Sequence, residues 1–285
     1  QKKAWLPELA TGERIFAVAV TEQQYGWTEG HVQLAATASS ADYQLSGVKL
    51  FVQDAASATD LLIAARVDGD VALLRIDAKA DGVSVRPLTG FISGGAEVIF
   101  DKATVSGADR LEGGWTAFER ALLPAIPILC AYKVGACGAV YDMSVEYSRE
   151  RVQFGQPVGR FQHVQNHIVQ LVNHLDSARW TTYEALWKID ARKPDVDISV
   201  HLAKAVTSEG FIEATNYAHE VHAGVGVMRE YGLSLYTRQS RSLYHALGDP
   251  KYHRRLLADL IVDFDPSLAT ESSNGTGNHV GHTHS

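Results

Sequence analysis

The chain has 285 residues, 46% of them hydrophobic, with a net charge of −7 and a pI near 5.9. That is enough apolar material for one or two cores. The acidic balance, with no Lys/Arg stripe interleaved with aromatics, excludes nucleic acid as the main partner. No run approaches the ~20 uninterrupted apolar residues that span a bilayer. The longest apolar tract, residues 121–140, carries Lys133, Pro124 and Pro127 and reads as a buried helix.

The first residues, Gln1-Lys2-Lys3-Ala4-Trp5, have no signal-peptide core behind their charges, and the absence of a starting Met leaves room for an earlier segment. Residues 14–112 are strand-like. Apolar runs at 15–20, 43–52, 60–67, 71–77 and 97–100 are separated by Gly and Asp turns such as Asp68-Gly69-Asp70. That pattern predicts an antiparallel sheet or barrel.

From Thr116 the period changes. Val164, Ile168, Leu171, Leu175, Ala178, Thr182 and Ala185 step by three and four along one helical face, and similar faces run through 117–150, 198–222 and 251–263. Gln156-Pro157-Val158-Gly159 and Arg192-Lys193-Pro194-Asp195 break them. Four helices with short links predict an antiparallel bundle. The fold class is therefore α+β, with a β-domain at 1–115, a four-helix domain at 116–264 and a disordered tail at 265–285, rich in Ser, Asn, Gly and His. Cys130 and Cys137 fall in one predicted helix, roughly 10 Å apart at the helical rise, too far for a disulfide, and the cytosol is the default compartment.

Familiar chemical motifs are weak. His163 and His167 share a helix turn, with His174 beyond, but no paired acid completes a metal site, and the tail histidines His279, His282 and His284 read as solvated. No metal site is expected. There is no Gly-x-Ser-x-Gly elbow and no Walker loop, and Gly224-Val225-Gly226 lacks a third glycine.

An ordered set of motifs carries more. Ala19-Val20-Thr21-Glu22 closes a strand, and Tyr43-Gln44-Leu45-Ser46-Gly47-Val48-Lys49 follows. Arg151-Val152-Gln153-Phe154-Gly155-Gln156-Pro157 leads into Phe161-Gln162-His163-Val164-Gln165, and His222-Ala223-Gly224-Val225-Gly226 precedes Glu230-Tyr231, Arg238 and Arg241. In order and spacing this resembles the acyl-CoA dehydrogenase family over about residues 1–250. Arg-x-x-Phe-Gly-x-Pro with Phe-Gln-x-x-Gln is the most specific part. The family's N-terminal helical domain has no counterpart in this sequence.

The resemblance implies FAD as cofactor and an acyl-CoA thioester as substrate. It places Arg151, Phe154, Gln162 and Gly224 at the adenosine end of FAD. Glu220 and Ala223 stand there where the family has Gln and Gly, and a carboxylate beside a diphosphate is unfavourable. At the flavin ring it places Val20, Thr21, Phe51 and Gln53, although Phe51 also reads as a plain core aromatic and Arg151 as a surface salt-bridge partner.

The family's catalytic Glu falls on Leu247, and the alternative position used by some members falls on Ala125, so neither site holds a carboxylate. Asp249 is the candidate substitute, with Glu119 the other acid in the vicinity. The resemblance thus implies one of three states. The first is a base-lacking subunit paired with a paralogous dehydrogenase that supplies the Glu, on a substrate as bulky as a steroid side chain. The second is a self-assembled tetramer using a displaced base, and the third a flavin-free scaffold.

Overall fold

The computed structural model describes residues 2–90 and 94–262; the tail predicted at 265–285, with its histidines, lies outside them. The chain divides into two compact units, Gln1–Leu122 and Leu123–Ser285. The division falls inside a helix rather than at 115/116. The reason is packing: Trp115 and Phe118, at the start of that helix, are buried with Val20, Val32, Ala64, Val71 and Leu73 of the first unit.

The first unit opens with α1 (Lys2–Thr11), for which the sequence had given no helical signal. Eight strands follow: β1 (Phe16–Ala19), β2 (Ala36–Ser39), β3 (Asp42–Gln53), β4 (Asp60–Val67), β5 (Asp70–Asp77), β6 (Val83–Pro87), β7 (Gly95–Val105) and β8 (Arg110–Leu111). They form two four-stranded sheets, β1-β4-β5-β8 and β2-β3-β7-β6. Two expectations change here. The strands build two sheets rather than one sheet or barrel, and β1 pairs with β4 in parallel, Phe16 opposite Asp60. Between them the chain leaves β1 to build β2 and β3 in the other sheet, so no hairpin connects the parallel pair. Both sheets share one core, in which Ala17, Leu61, Ile63 and Leu74 meet Leu45, Val98, Phe100 and Ala103.

The second unit holds the rest of α2 (Gly114–Glu150), a small hairpin of β9 (Val152–Gln153) and β10 (Gln156–Pro157), and then α3 (Gln162–Asp190), α4 (Val196–His222), α5 (Leu233–Tyr244) and α6 (Pro250–Val262). The four predicted helices are present, but α5 makes a fifth; its register of Leu233, Tyr236 and Ser240 was hidden among Arg, Gln and Thr. The core joins Val134, Cys137 and Val140 of α2 to Leu171, Leu175 and Ala178 of α3 and Phe211, Ala214 and Ala218 of α4, with Leu233 of α5. Small residues let α3 and α4 approach closely: a Cβ on Gly210 would lie 3.3 Å from the His174 carbonyl oxygen. Among the described helices α2 alone is long and apolar enough to cross a membrane. In this fold its stripe of Ile126, Cys130, Lys133, Cys137, Val140 and Ser144 is buried.

One polar node sets the first unit's geometry. Lys49 on β3 is fully buried, and its Nζ donates to the Val20 carbonyl oxygen at 3.0 Å and to Glu22 Oε1 at 2.7 Å. Glu22 in turn accepts from the backbone amides of Gln33 and Leu34. Burial pulls the Lys49 ammonium below its usual range, and the Glu22 carboxylate offsets only part of that shift. Replacing Lys49 by Ala should therefore cost about 3–5 kcal/mol, because it strands a half-buried carboxylate and a carbonyl. Urea denaturation reads this as a lower midpoint, and Lys49→Met combined with Glu22→Gln should recover part of the loss.

Candidate functional site

The positions assigned to the flavin ring lie in the first unit, where β1 ends against β3. Val20 and Thr21 are buried. The Thr21 carbonyl oxygen accepts from the Leu50 amide at 2.8 Å, and the Thr21 hydroxyl donates to the Leu50 carbonyl. The hydroxyl proton is thus used within the protein, leaving its oxygen lone pairs as acceptors. Phe51 does not fill the core. It sits where the β3–β7 register shifts between Lys49 and Val52, with φ of 58°, is 52% exposed, and touches Tyr25 edge-on at 5.8 Å. A non-glycine residue held in the left-handed region at a bulge is a re-aimed side chain. Gln53 is exposed two residues on.

The adenosine-end positions lie in the second unit. Arg151 follows α2, and its backbone carbonyl accepts from Val158, closing the β9–β10 hairpin at 2.8 Å. Its guanidinium is exposed and forms no ion pair among the described residues, contrary to the salt-bridge reading. Phe154, at the hairpin tip with φ of 52°, is 92% exposed and meets Phe161 edge-on at 6.0 Å. Gln162 opens α3 and is exposed.

Tyr147, four residues before Arg151, packs on His222 at 4.6 Å, which brings the end of α2 to the end of α4 just before Gly224. A Cβ on Gly224 would meet nothing within 4 Å. Ala223 beside it has φ of 49° and ψ of −133°, a conformation suited to glycine, so the Ala found there is strained. Glu220 is exposed on the last turn of α4.

The two positions where the resemblance places the base hold apolar side chains. Ala125 is half-buried in α2 between Pro124 and Pro127. Leu247 is half-buried in the turn between α5 and α6, with φ of 57°. Asp249 does not serve as a free substitute: its Oδ1 accepts from the Tyr252 amide at 2.7 Å and its carbonyl from the His253 amide at 3.1 Å, so it caps α6. Glu119 accepts from the Trp115 indole at 2.7 Å.

Residues 112–262 match the family model described as the acyl-CoA dehydrogenase C-terminal domain, more than half of the chain. The chain belongs to the acyl-CoA dehydrogenase family. It is 28% identical over 280 residues to "Probable acyl-CoA dehydrogenase YngJ" of Bacillus subtilis (strain 168), covering 92% of this chain and 72% of that protein. Its fold is similar to the solved structure "PigA with FAD and proline" (TM-score 0.85, 25% identity, 92% of this chain and 71% of that one). It also resembles butyryl-CoA dehydrogenase from Megasphaera elsdenii (TM-score 0.84, 23% identity, covering 92% and 71%). The chain is an oxidoreductase of the class acting on CH–CH bonds.

Family motifs gave no warning of a polar node beneath the Leu247 turn. Lys133 on α2 and Lys204 on α4 are both fully buried, and both Nζ atoms donate to Ser208 Oγ, at 2.9 and 3.0 Å. The Ser208 hydroxyl donates to the Lys204 carbonyl at 2.8 Å. Lys204 Nζ also donates to the Gly248 carbonyl at 2.6 Å, and His253 Nε2 donates to the Leu247 carbonyl at 2.8 Å. Neither lysine forms an ion pair among the described residues. Desolvation lowers Lys133 to about 8, and desolvation followed by the neighbouring Lys133 holds Lys204 well below its usual range. Desolvation pushes His253 down to about 3, aided by Lys204. The sequence clue was a lysine inside each of two apolar stripes, Lys133 in 121–140 and Lys204 between Ala203 and Ala205.

The histidines of α3 make a ring ladder, His163 on His167 at 4.6 Å and His174 stacked on Tyr217 at 5.9 Å. No metal-holding group of three or more ligands occurs among the described residues.

The buried lysine gives a signed pH effect. Lys133 titrates near 8 when folded and near 10.5 when unfolded, so the unfolded chain binds more protons between these values and stability rises with pH. The wild type should therefore gain roughly 2–3 kcal/mol relative to Lys133→Met between pH 7 and pH 10.5. Urea midpoints of the two proteins across that range check it; parallel curves would mean that Lys133 stays charged.

Proposed function

We propose that this chain is a subunit of a FAD-dependent acyl-CoA dehydrogenase that oxidises the α,β-bond of a CoA thioester, with the carboxylate base supplied by a paralogous partner subunit. The observation that carries the reading is the pair Leu247 and Ala125, together with Asp249 being occupied as the cap of α6. Removing the α-proton of a thioester needs a general base within hydrogen-bond reach, and this chain presents none at either position. Asp249 as a displaced base is disfavoured for the same reason.

FAD fits the exposed residues of the second unit best. The Arg151 guanidinium, free of ion pairs among the described residues, has donors for diphosphate oxygens. Phe154, almost wholly exposed, offers a face for stacking, Gln162 adds an amide, and Gly224 leaves room for close approach. Val20, Thr21, Phe51 and Gln53 would border the flavin ring, with Thr21 as acceptor rather than donor. Bound FAD supplies the acceptor for the substrate's β-hydride. The solved PigA complex with FAD and proline supports this cofactor.

Assembly follows from bare apolar surface. Trp180, Tyr183 and Trp187 form an exposed aromatic row on α3, and Ile128 and Tyr132 are exposed on α2. Such rows are more than a soluble monomer usually presents. The reading is an α₂β₂ complex in the cytosol, on an acyl group as bulky as a steroid side chain.

Saturated acyl-CoA thioesters should leave the flavin of the purified chain oxidised, while adding a Glu-bearing paralogue should restore bleaching. Base assistance is worth about 10²–10⁴-fold, so turnover by the chain alone at an ordinary rate would overturn the proposal. Arg151→Ala should weaken FAD binding by about 10- to 100-fold in the complex, measured by flavin retention on dilution. Unchanged retention would make Arg151 a plain surface charge.

A further inference from the structure

The turn between α5 and α6 is held in a way that its local sequence does not require. Leu247 has φ of 57° and Gly248 φ of 95°. For a branched side chain the first of these costs of order 1–3 kcal/mol and persists only where surrounding contacts over-determine it. Two buried groups make those contacts. Lys204 Nζ holds the Gly248 carbonyl at 2.6 Å, and His253 Nε2 holds the Leu247 carbonyl at 2.8 Å. Gly248 admits nothing larger, since an added Cβ would lie 2.5 Å from the Tyr252 ring and 2.7 Å from His253 Nε2.

The protonation pattern is fixed by these bonds. A carbonyl accepts only, so His253 Nε2 carries the hydrogen and, in the neutral ring, Nδ1 is an acceptor. The His201 Nδ1, 2.9 Å away, must then be the donor. Lys204 is anchored from behind by Ser208. Both clamping side chains are thus oriented by partners on α4, His201 for His253 and Ser208 for Lys204, about two helical turns apart.

We propose that Lys204 and His253 are positioning residues that lock the Leu247 and Gly248 turn and so keep Asp249 on α6, away from any role as a base. The lock deepens the reading of a base-lacking subunit, on which its functional meaning rests: it makes dependence on a partner's carboxylate a built property of the fold. Lys133 shares Ser208 but touches neither carbonyl, so it lies outside the lock.

Hydrogen exchange and carbonyl ¹³C NMR on the full chain test this without cofactor or partner. Lys204→Met should speed exchange of the Gly248 and Tyr252 amides by about 10- to 100-fold, the loss of one buried hydrogen bond that leaves the Gly248 carbonyl unsatisfied, and leave core amides of α2 and α3 unchanged. The Gly248 carbonyl resonance should move upfield in Lys204→Met and stay in place in Lys133→Met. Unchanged exchange at the turn, or equal acceleration throughout the second unit, overturns the lock. Should Lys204→Met fail to fold, His253→Phe removes the other arm, and the Leu247 carbonyl resonance must then shift for the proposal to stand. Activity of the chain alone would defeat the partner-dependent function while leaving the exchange result intact, so the two readings fail separately.

Discussion

Three of the largest fully buried side chains among the described residues are lysines: Lys49, Lys133 and Lys204. An amine cannot leave water without acceptors, and the acceptors it takes are then held in place. Lys49 takes the Val20 carbonyl and Glu22, which fastens the end of β1 to β3. Lys204 takes the Gly248 carbonyl and Ser208, which fastens the turn before α6 to α4. The segments that bear on chemistry are those ends and turns. In each unit a buried ammonium or amine, rather than apolar packing, fixes the backbone that carries the candidate site.

This arrangement separates two kinds of candidate residue. Phe51, Phe154, Arg151 and Gln162 are exposed, and two of them sit at positive φ, which is the setting of side chains that await a ligand or a partner. Val20, Thr21, Leu247 and Asp249 are committed inward, through carbonyls, a donated hydroxyl and a helix cap. The proposed function rests on that division: exposed side chains stand where the resemblance places the adenosine end of FAD, and apolar Leu247 and Ala125 stand where it places the base.

The helical surfaces extend the same division. α4 packs against α3, α5 and α6 and hides nearly all its apolar residues, whereas α3 turns Trp180, Tyr183 and Trp187 outward. Helical periodicity located both helices correctly but could not tell which had a second apolar face to spare. A stripe of period 3.6 reports that a face is apolar, and the neighbour that covers it lies elsewhere in the chain or in another one.

The sequence by itself determined the α+β class, the strand-to-helix switch, the long helices and the apolar residues Leu247 and Ala125 where the resemblance places the base, because periodicity and motif spacing are local properties. The resemblance also assigned Arg151, Phe154, Gln162 and Gly224 to the adenosine end of FAD, within the span 112–262 that the family model matches. Tertiary structure alone decided that β1 pairs in parallel with β4 and that Phe51 leaves the core. Both rest on a partner distant in sequence: Asp60 across the sheet and the β7 register at the bulge. Long-range pairing of backbone groups leaves no period in the sequence, and a lysine in an apolar stripe does not announce which carbonyl it will hold.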